Sequence, residues 1–301
     1  MKKSILITGA TSGIGRAATT EFASQGYQVF ATYRADDHRG ELAATDNVHP
    51  IRMDVTDAAD LERAYAAVAE AVGGDGLYAV LNNAGITYSA PFEYLDEKRA
   101  REVMEVNVIA PYRITQTFIP LLIAHNKSNH VKARVVNIAS WAGLMASPFI
   151  AFYNASKFAV IGLTESMFYD LRLLDIHTVL AIPGITKTPL LAKTTGDGSA
   201  ALDTMPAEGR ARYQDLFDHY ATMSARSEAM PMLATPEKVA HKLHRIVDKP
   251  KPRFKNNLGI DASLIDHVIT RLPRAARVAM NRRMYQLDSA RPASHAPKDR
   301  P

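Results

Sequence analysis

Tyr153 and Lys157 stand four residues apart, so on a helix they share one face. An ammonium beside a phenol favours the phenolate and draws a phenol pKa of about 10 towards neutrality. A tyrosine tuned in this way can exchange a proton with an alcohol or carbonyl oxygen. Ser140, thirteen residues before the tyrosine, can hydrogen-bond and orient that same oxygen. A Tyr-x-x-x-Lys pair is common on helices and alone signifies nothing. Here it accompanies a second motif, Thr8-Gly9-Ala10-Thr11-Ser12-Gly13-Ile14-Gly15, set between a short apolar run and a helical pattern. Glycines at such a turn admit tight backbone geometry, and the following helix offers free N–H groups and a positive dipole end to phosphates. Gly9, Thr11, Ser12, Gly13, Ile14 and Gly15 are therefore candidate nucleotide contacts, although any tight strand-to-helix turn also wants glycine.

The elements that must position these residues alternate. Short apolar runs at 4–8, 28–32, 78–81, 135–139 and 178–182 suit strands buried on both faces of a parallel sheet. A weaker strand is placed at 49–52 by rhythm, and a last one near 253–259. Helical spacing falls near 13–25, 57–72, 97–125, 151–174 and 236–248. The pattern implies an α/β chain with a doubly wound parallel sheet. In that architecture the loops after strands neighbouring the first border the cofactor crevice. This makes Asp54, Val55, Asn82, Ala84 and Gly85 candidate contacts on the adenine and ribose side, although Asn and Gly equally suit plain turns. Residues 189–235 break the rhythm with scattered Gly and Pro and are read as an insertion folded over the site. The expected organisation is one catalytic domain over 1–260, including that insertion, and a basic extension over 261–301 whose end, 286–301, is expected to be disordered.

Composition excludes other classes. The chain has 301 residues, 47% apolar and 22% charged, which describes an ordinary globular protein. The absence of cysteine removes disulfides, thiol nucleophiles and thiolate metal sites. No metal site is expected: the histidines are scattered, and His241 and His244 lack a third ligand nearby. There is no Gly-x-Ser-x-Gly elbow. The N-terminal apolar run is too short for a signal peptide and no stretch suggests a membrane span, so a cytoplasmic protein is expected. From Arg271 onward eight Lys/Arg face two acidic residues, so the net charge of +5 belongs to the tail and no nucleic-acid partner is expected.

Taken together, these motifs resemble the short-chain dehydrogenase/reductase family over roughly residues 3–190. The glycine turn, Asn82 to Gly85, Tyr153-Asn154-Ala155-Ser156-Lys157 and Pro183-Gly184-Ile185-Thr186 all match family elements. The resemblance implies a Rossmann-type fold, Tyr153 as general acid/base and Ser140 as the group polarising the substrate oxygen. It implies that Lys157 lowers the tyrosine pKa and holds the nicotinamide ribose, and that Asn107 positions a water. Pro183, Gly184, Ile185, Thr186 and Thr188 would border the nicotinamide. Pro111 has no N–H for the Asn107 carbonyl four residues earlier; it either frees that carbonyl for the water or merely opens a helix. Family members are commonly homodimers or homotetramers, and the same is expected here.

The cofactor reading rests on the second strand. Its acidic position, which would bind a ribose diol, is taken by Tyr33, and Arg34 follows with a fork of donors suited to a 2′-phosphate. This resembles the family's NADP-preferring pattern without the further basic residue some members carry where Ser12 stands. NADP is expected, ahead of NAD.

On the substrate side, Trp141, Met145, Phe149, Leu190 and Leu191 are either core or an apolar pocket. Pro252-Arg253-Phe254, Gly259 to Ala262 and Leu272-Pro273 resemble the hydroxysteroid and retinol dehydrogenase branch, which implies a bulky hydrophobic alcohol or ketone and an extension that covers it. A 3-ketoacyl or small-ketone reductase is the alternative enzyme, and a non-catalytic NADP-sensing protein the alternative of another class. Leu264, Ile265, Val268, Ile269 and Leu272 form an apolar stripe followed by alternating arginines. That stripe either packs on its own domain or brings the tail weakly to a membrane surface.

Overall fold

The computed structural model describes residues 2–36, 39–229 and 234–287. Seven parallel strands form one sheet in the order β3-β2-β1-β4-β5-β6-β7. They are β1 (Ser4–Ile7), β2 (Gln28–Tyr33), β3 (Val48–Arg52), β4 (Ala79–Asn82), β5 (Arg134–Ile138), β6 (His177–Ile182) and β7 (Lys255–Asn257). The inner strands are largely apolar because helices cover both faces. Ile5, Ile7, Val29, Ala31 and Leu81 pack towards α1 (Gly13–Ser24) and α9 (Pro236–Val247). The alternate residues Leu6, Phe30, Val80 and Val135 pack towards α3 (Ala58–Val72) and α5 (Ala110–Ser128). β3 contains Pro50 and accordingly lies at the sheet edge. α2 (Arg39–Ala43) is a short turn leading into it.

The strand order reverses direction between β1 and β4, so the loops leaving their carboxyl ends part and open a crevice. α6 (Ala151–Arg172) runs beside that crevice. The expected helix over 97–125 is α4 (Glu97–Met104) and α5 joined through a π-helical turn, Glu105–Ile109.

The described residues of the insertion 189–235 are largely helical. They form α7 (Pro189–Thr204) and α8 (Ala207–Ala229), separated at Pro206. Gly209 lies inside α8 because a Cβ there would fall 2.3 Å from the Tyr94 hydroxyl oxygen, so this glycine permits helix packing and marks no loop. After β7 the chain adds α10 (Ile260–His267) and α11 (Arg274–Met284). Ala262 joins the core beside Leu180 and Ile182, which fixes α10 against β6. The expectation of disorder over 286–301 falls, beyond Leu287, outside the described residues. No helix among the described residues is long and apolar enough to cross a membrane.

Candidate active site

The glycine turn is built by mutual stitching. The Thr8 hydroxyl oxygen accepts the N–H groups of Asn83 and Ala84, each at 3.0 Å. Asn83 Nδ2 donates back to the carbonyls of Thr8 (2.9 Å) and Gly9 (3.2 Å). Gly9 and Gly13 hold φ of +64° and +51°, the left-handed region that favours glycine. A Cβ on Gly15 would lie 2.1 Å from the Gly9 carbonyl oxygen, so that position admits no side chain. Ser12 heads α1 without a side-chain cap, and the first turn holds no acidic residue. The N-terminal N–H groups of α1 are thus presented to the crevice, a setting that fits a dinucleotide's phosphates.

A cleft of about 640 Å³ runs from this turn to Ser140 and Tyr153. Every residue expected to touch cofactor lines it except Gly15 and Asn82. Gly15 lies beneath the turn as its spacer. Asn82 is buried, its Nδ2 donating to Asn137 Oδ1 (2.8 Å) and Thr115 Oγ1 (3.1 Å), so it ties β4 to β5 and faces away from the cleft. Its neighbour Asn83 lines the cleft instead. Asp54 lines the wall while its Oδ1 accepts the Thr56 N–H (2.9 Å) and hydroxyl (2.7 Å), which closes its own loop. Arg34 stands at the β2 end of the cleft, and Asp36 nearby is paired with Arg52 at 3.7 Å. Asp37 lies outside the described residues.

Ser140 leaves β5 and heads a 3-10 turn over Trp141–Gly143, its Oγ accepting the Ala142 N–H at 3.2 Å. Tyr153 lies in the first turn of α6 and Lys157 one turn later. Lys157 Nζ donates to the Ile138 carbonyl at 3.0 Å and sits 5.7 Å from the Tyr153 ring centre. Lys157 is buried and Tyr153 is half-buried. Burial brings the Lys157 ammonium down to about 8, and burial pushes the Tyr153 phenol up, with only the facing Ser140 hydroxyl pulling it back. In the chain by itself burial works against the expected lowering of the tyrosine by its lysine. At neutral pH the phenol is protonated, and it is positioned as a proton donor.

Gly143 makes this geometry possible. A Cβ there would fall 2.5 Å from the Lys157 carbonyl oxygen, so only glycine lets the serine turn lie against α6. Asn107, in the π turn, does not line the cleft. Its Oδ1 accepts the Ile86 N–H (2.8 Å), and its Nδ2 donates to the Ile86 carbonyl (2.9 Å) and Ser156 Oγ (2.9 Å). It clamps the loop after β4 to α6, close to Lys157. A Cβ on Gly85 would touch Asn107 Oδ1 at 3.4 Å and Lys157 Nζ at 3.7 Å. Pro111 follows within a helix that continues through it, where the missing N–H and the wider π turn coincide.

The far wall comes from the later helices. Trp141, Met145, Leu190 and Leu191 line the cleft as expected, joined by Tyr220 and Met223 of α8, Leu264 and Ile265 of α10, and Met284 and Tyr285. Phe149 does not line it. Its φ of +67° turns the ring onto Phe217 and Tyr220, at 5.4 and 5.5 Å, where it anchors the lid helices. Met205 sits in that same cluster. Tyr220 and Tyr285 stack at 6.2 Å, and burial pushes both phenols up. The extension also reaches the turn after β6. Asp261 Oδ2 accepts the Ile185 N–H at 2.6 Å, over a Gly184 whose Cβ would lie 1.8 Å from the carboxylate. Asp261, Tyr220 and Tyr285 were not legible as site residues. Only the Gly259 to Ala262 pattern marked one of them, and that without a role.

A family model described as short chain dehydrogenase matches residues 3–198. Among curated relatives, an NADPH-dependent 3-dehydrocapnine reductase of Ornithobacterium rhinotracheale is 30% identical over 83% of this chain and 86% of its own. The 17-beta-hydroxysteroid dehydrogenase type 1 of Mus musculus is 32% identical over 83% of this chain and 72% of its own. Among solved structures, a short chain dehydrogenase/reductase from Burkholderia phymatum in complex with NAD superposes with a TM-score of 0.72 at 24% identity. That alignment covers 93% of this chain and 95% of the other, and it establishes likeness of fold.

Proposed function

The chain belongs to the short chain dehydrogenase family, and from that premise we propose that it interconverts a ketone and a secondary alcohol on a bulky hydrophobic substrate with NADP(H). The observation that carries this reading is the single cleft with Arg34 at one end, the Ser140–Tyr153 pair at its middle and apolar helices beyond. The glycine cradle and uncapped α1 N-terminus would hold the phosphates, Arg34 the 2′-phosphate, and Lys157 the nicotinamide ribose. Bound there, a nicotinamide dinucleotide supplies or accepts the two electrons. The remaining chemistry belongs to the chain. Ser140 orients the substrate oxygen, and Tyr153, neutral at pH 7, gives that oxygen its proton during reduction and takes it back during oxidation. Asn107 and Gly143 hold the loop and turn that keep the three groups in reach.

The NADPH-dependent relative and the hydroxysteroid relative, each about as similar as the other, support cofactor and substrate class respectively. The aromatic and aliphatic lining from α8, α10 and Tyr285 supports a substrate larger than a small ketone. Exposed Tyr112 on α5 with Phe158 and Tyr169 on α6 supports a homo-oligomer. The test is absorbance-monitored turnover with NADPH and NADH against steroid, retinoid and small-ketone panels. Consumption of NADPH with bulky ketones is expected. Turnover confined to small ketones or acyl thioesters, or none with any substrate, overturns the reading.

A further inference from the structure

The apolar stripe after β7 divides in two. Ile265 and Ile269 turn inward and line the cleft. Ile260, Leu264 and Val268, spaced by four, stay outward at 69, 53 and 51% exposure, and Leu272 continues their row. Leu264 both lines the cleft and faces solvent, so the row forms the rim of the cleft mouth. Beside it lies α11, eleven residues with four arginines, no acidic residue and no buried side chain. Asn281 Nδ2 donates to the Ala146 carbonyl at 3.2 Å, the His219 ring approaches the Met284 carbonyl at 3.0 Å, and Tyr285 stacks on Tyr220.

We propose that this face, the outer row of α10 with the exposed arginines Arg274, Arg282 and Arg283 of α11, rests on an anionic lipid bilayer. Exposed aliphatic rows bordered by arginine suit a headgroup boundary, where apolar side chains enter the acyl region and cations meet lipid phosphates. Charge argues against the alternatives. A two-fold contact between copies would set arginine-rich α11 against itself. The chain's own residues 288–301 carry three basic and two acidic side chains and supply no negative complement. A nucleic acid would leave the aliphatic row in water. The benefit to catalysis rests on the hydrophobic-substrate reading, since lipid would then meet the cleft mouth directly; the docking itself does not.

The test is cosedimentation of the full chain with phosphatidylcholine vesicles, with and without about a third phosphatidylserine, at low salt and at about 0.5 M salt. No substrate is present, so its failure is separate from a failure of the enzymatic reading. Binding to the anionic vesicles alone, lost at high salt, is expected. Removing three exposed cations in R271Q/R274Q/R283Q should weaken partitioning on the order of a hundredfold. I260S/V268S, which replaces no cleft-lining residue, should weaken it about tenfold or more. Circular dichroism and urea unfolding of the variants confirm that each is folded. No vesicle binding, equal binding to neutral vesicles, or variants that partition like the parent all overturn the proposal. So does a change in sedimentation coefficient without lipid, which would assign the face to self-association.

Discussion

Replacing Lys157 with methionine should make the protein more stable while abolishing turnover. The ammonium is buried, and burial brings it from an ordinary 10.5 to about 8. The sign follows from proton binding. Between pH 8 and 10.5 the unfolded chain binds a proton that the folded chain does not, so this lysine destabilises the fold increasingly as pH falls through that window. At pH 7 the penalty is nearly complete, about 3 kcal/mol, and at pH 9 it is about 2 kcal/mol. Methionine keeps the methylenes and removes the charge. It also removes the donor to the Ile138 carbonyl, which lines the cleft and can take water instead, at a cost of about 1 kcal/mol. The net gain is about 2 kcal/mol at pH 7, shrinking to about 1 kcal/mol at pH 9. Urea unfolding of both proteins without cofactor at the two pH values measures it. A K157M protein less stable than its parent at pH 7, or a gap that widens with pH, would refute the burial argument.

Three further outcomes probe other parts of the site. Gly15→Ala places a Cβ 2.1 Å from the Gly9 carbonyl oxygen and 2.4 Å from Asn83 Nδ2, so dinucleotide binding should weaken by about 2 kcal/mol or more, read by calorimetric titration. Undiminished affinity would show that the turn does not form the cradle. Tyr153→Phe keeps the ring and removes the proton, so kcat should fall about 10²-fold or more with NADPH binding little changed; near-normal turnover would displace Tyr153 from its role. Arg34→Ala should cost NADPH about 1.5–3 kcal/mol of binding and leave NADH nearly untouched. A parent protein binding both cofactors equally would remove the basis for the NADP assignment.

The sheet was legible because its inner strands are short, largely apolar and bounded by turn residues, which few other structures produce. Tyr153 and Lys157 were legible because helical spacing fixes which residues share a face. What failed was parity and closure. Asn82 and Asn83 are adjacent at a strand end, where successive side chains take opposite sides, and only the register reveals that Asn82 enters the sheet's polar core and Asn83 the cleft. Phe149 fits an apolar wall by type, but its positive φ sends it into the lid cluster, and no sequence pattern signals that backbone state for a phenylalanine. The glycines of 189–235 read as loop punctuation because the packing reason for Gly209, the approach of Tyr94, comes from a residue more than a hundred positions away. Tyr220, Asp261 and Tyr285 reach the site by tertiary packing alone.

Much of the site runs against stability. A lysine is buried, a half-buried tyrosine is desolvated, and a π turn replaces regular helix. The compensation lies in the two apolar layers on either side of the sheet, where the side chains of β1, β2 and β4 are almost wholly excluded from water. Those layers fix the carboxyl ends of β1, β4 and β5, and so the distances among Gly9, Asn83 and Ser140, independently of anything bound. The far wall of the cleft has a different support, since α8, α10 and Tyr285 are joined to the sheet through Asp261, Ala262, the Phe149 cluster and a few side-chain contacts of α11. It follows that truncation before α10 should damage the turn after β6, through the lost Asp261 acceptor, before it damages the glycine cradle. A chain ending at Gly259 should therefore still protect its β1 and β4 amides from hydrogen exchange while losing protection at Ile185. Equal loss at both places would mean that the extension supports the whole sheet, and the division of labour drawn here would be wrong.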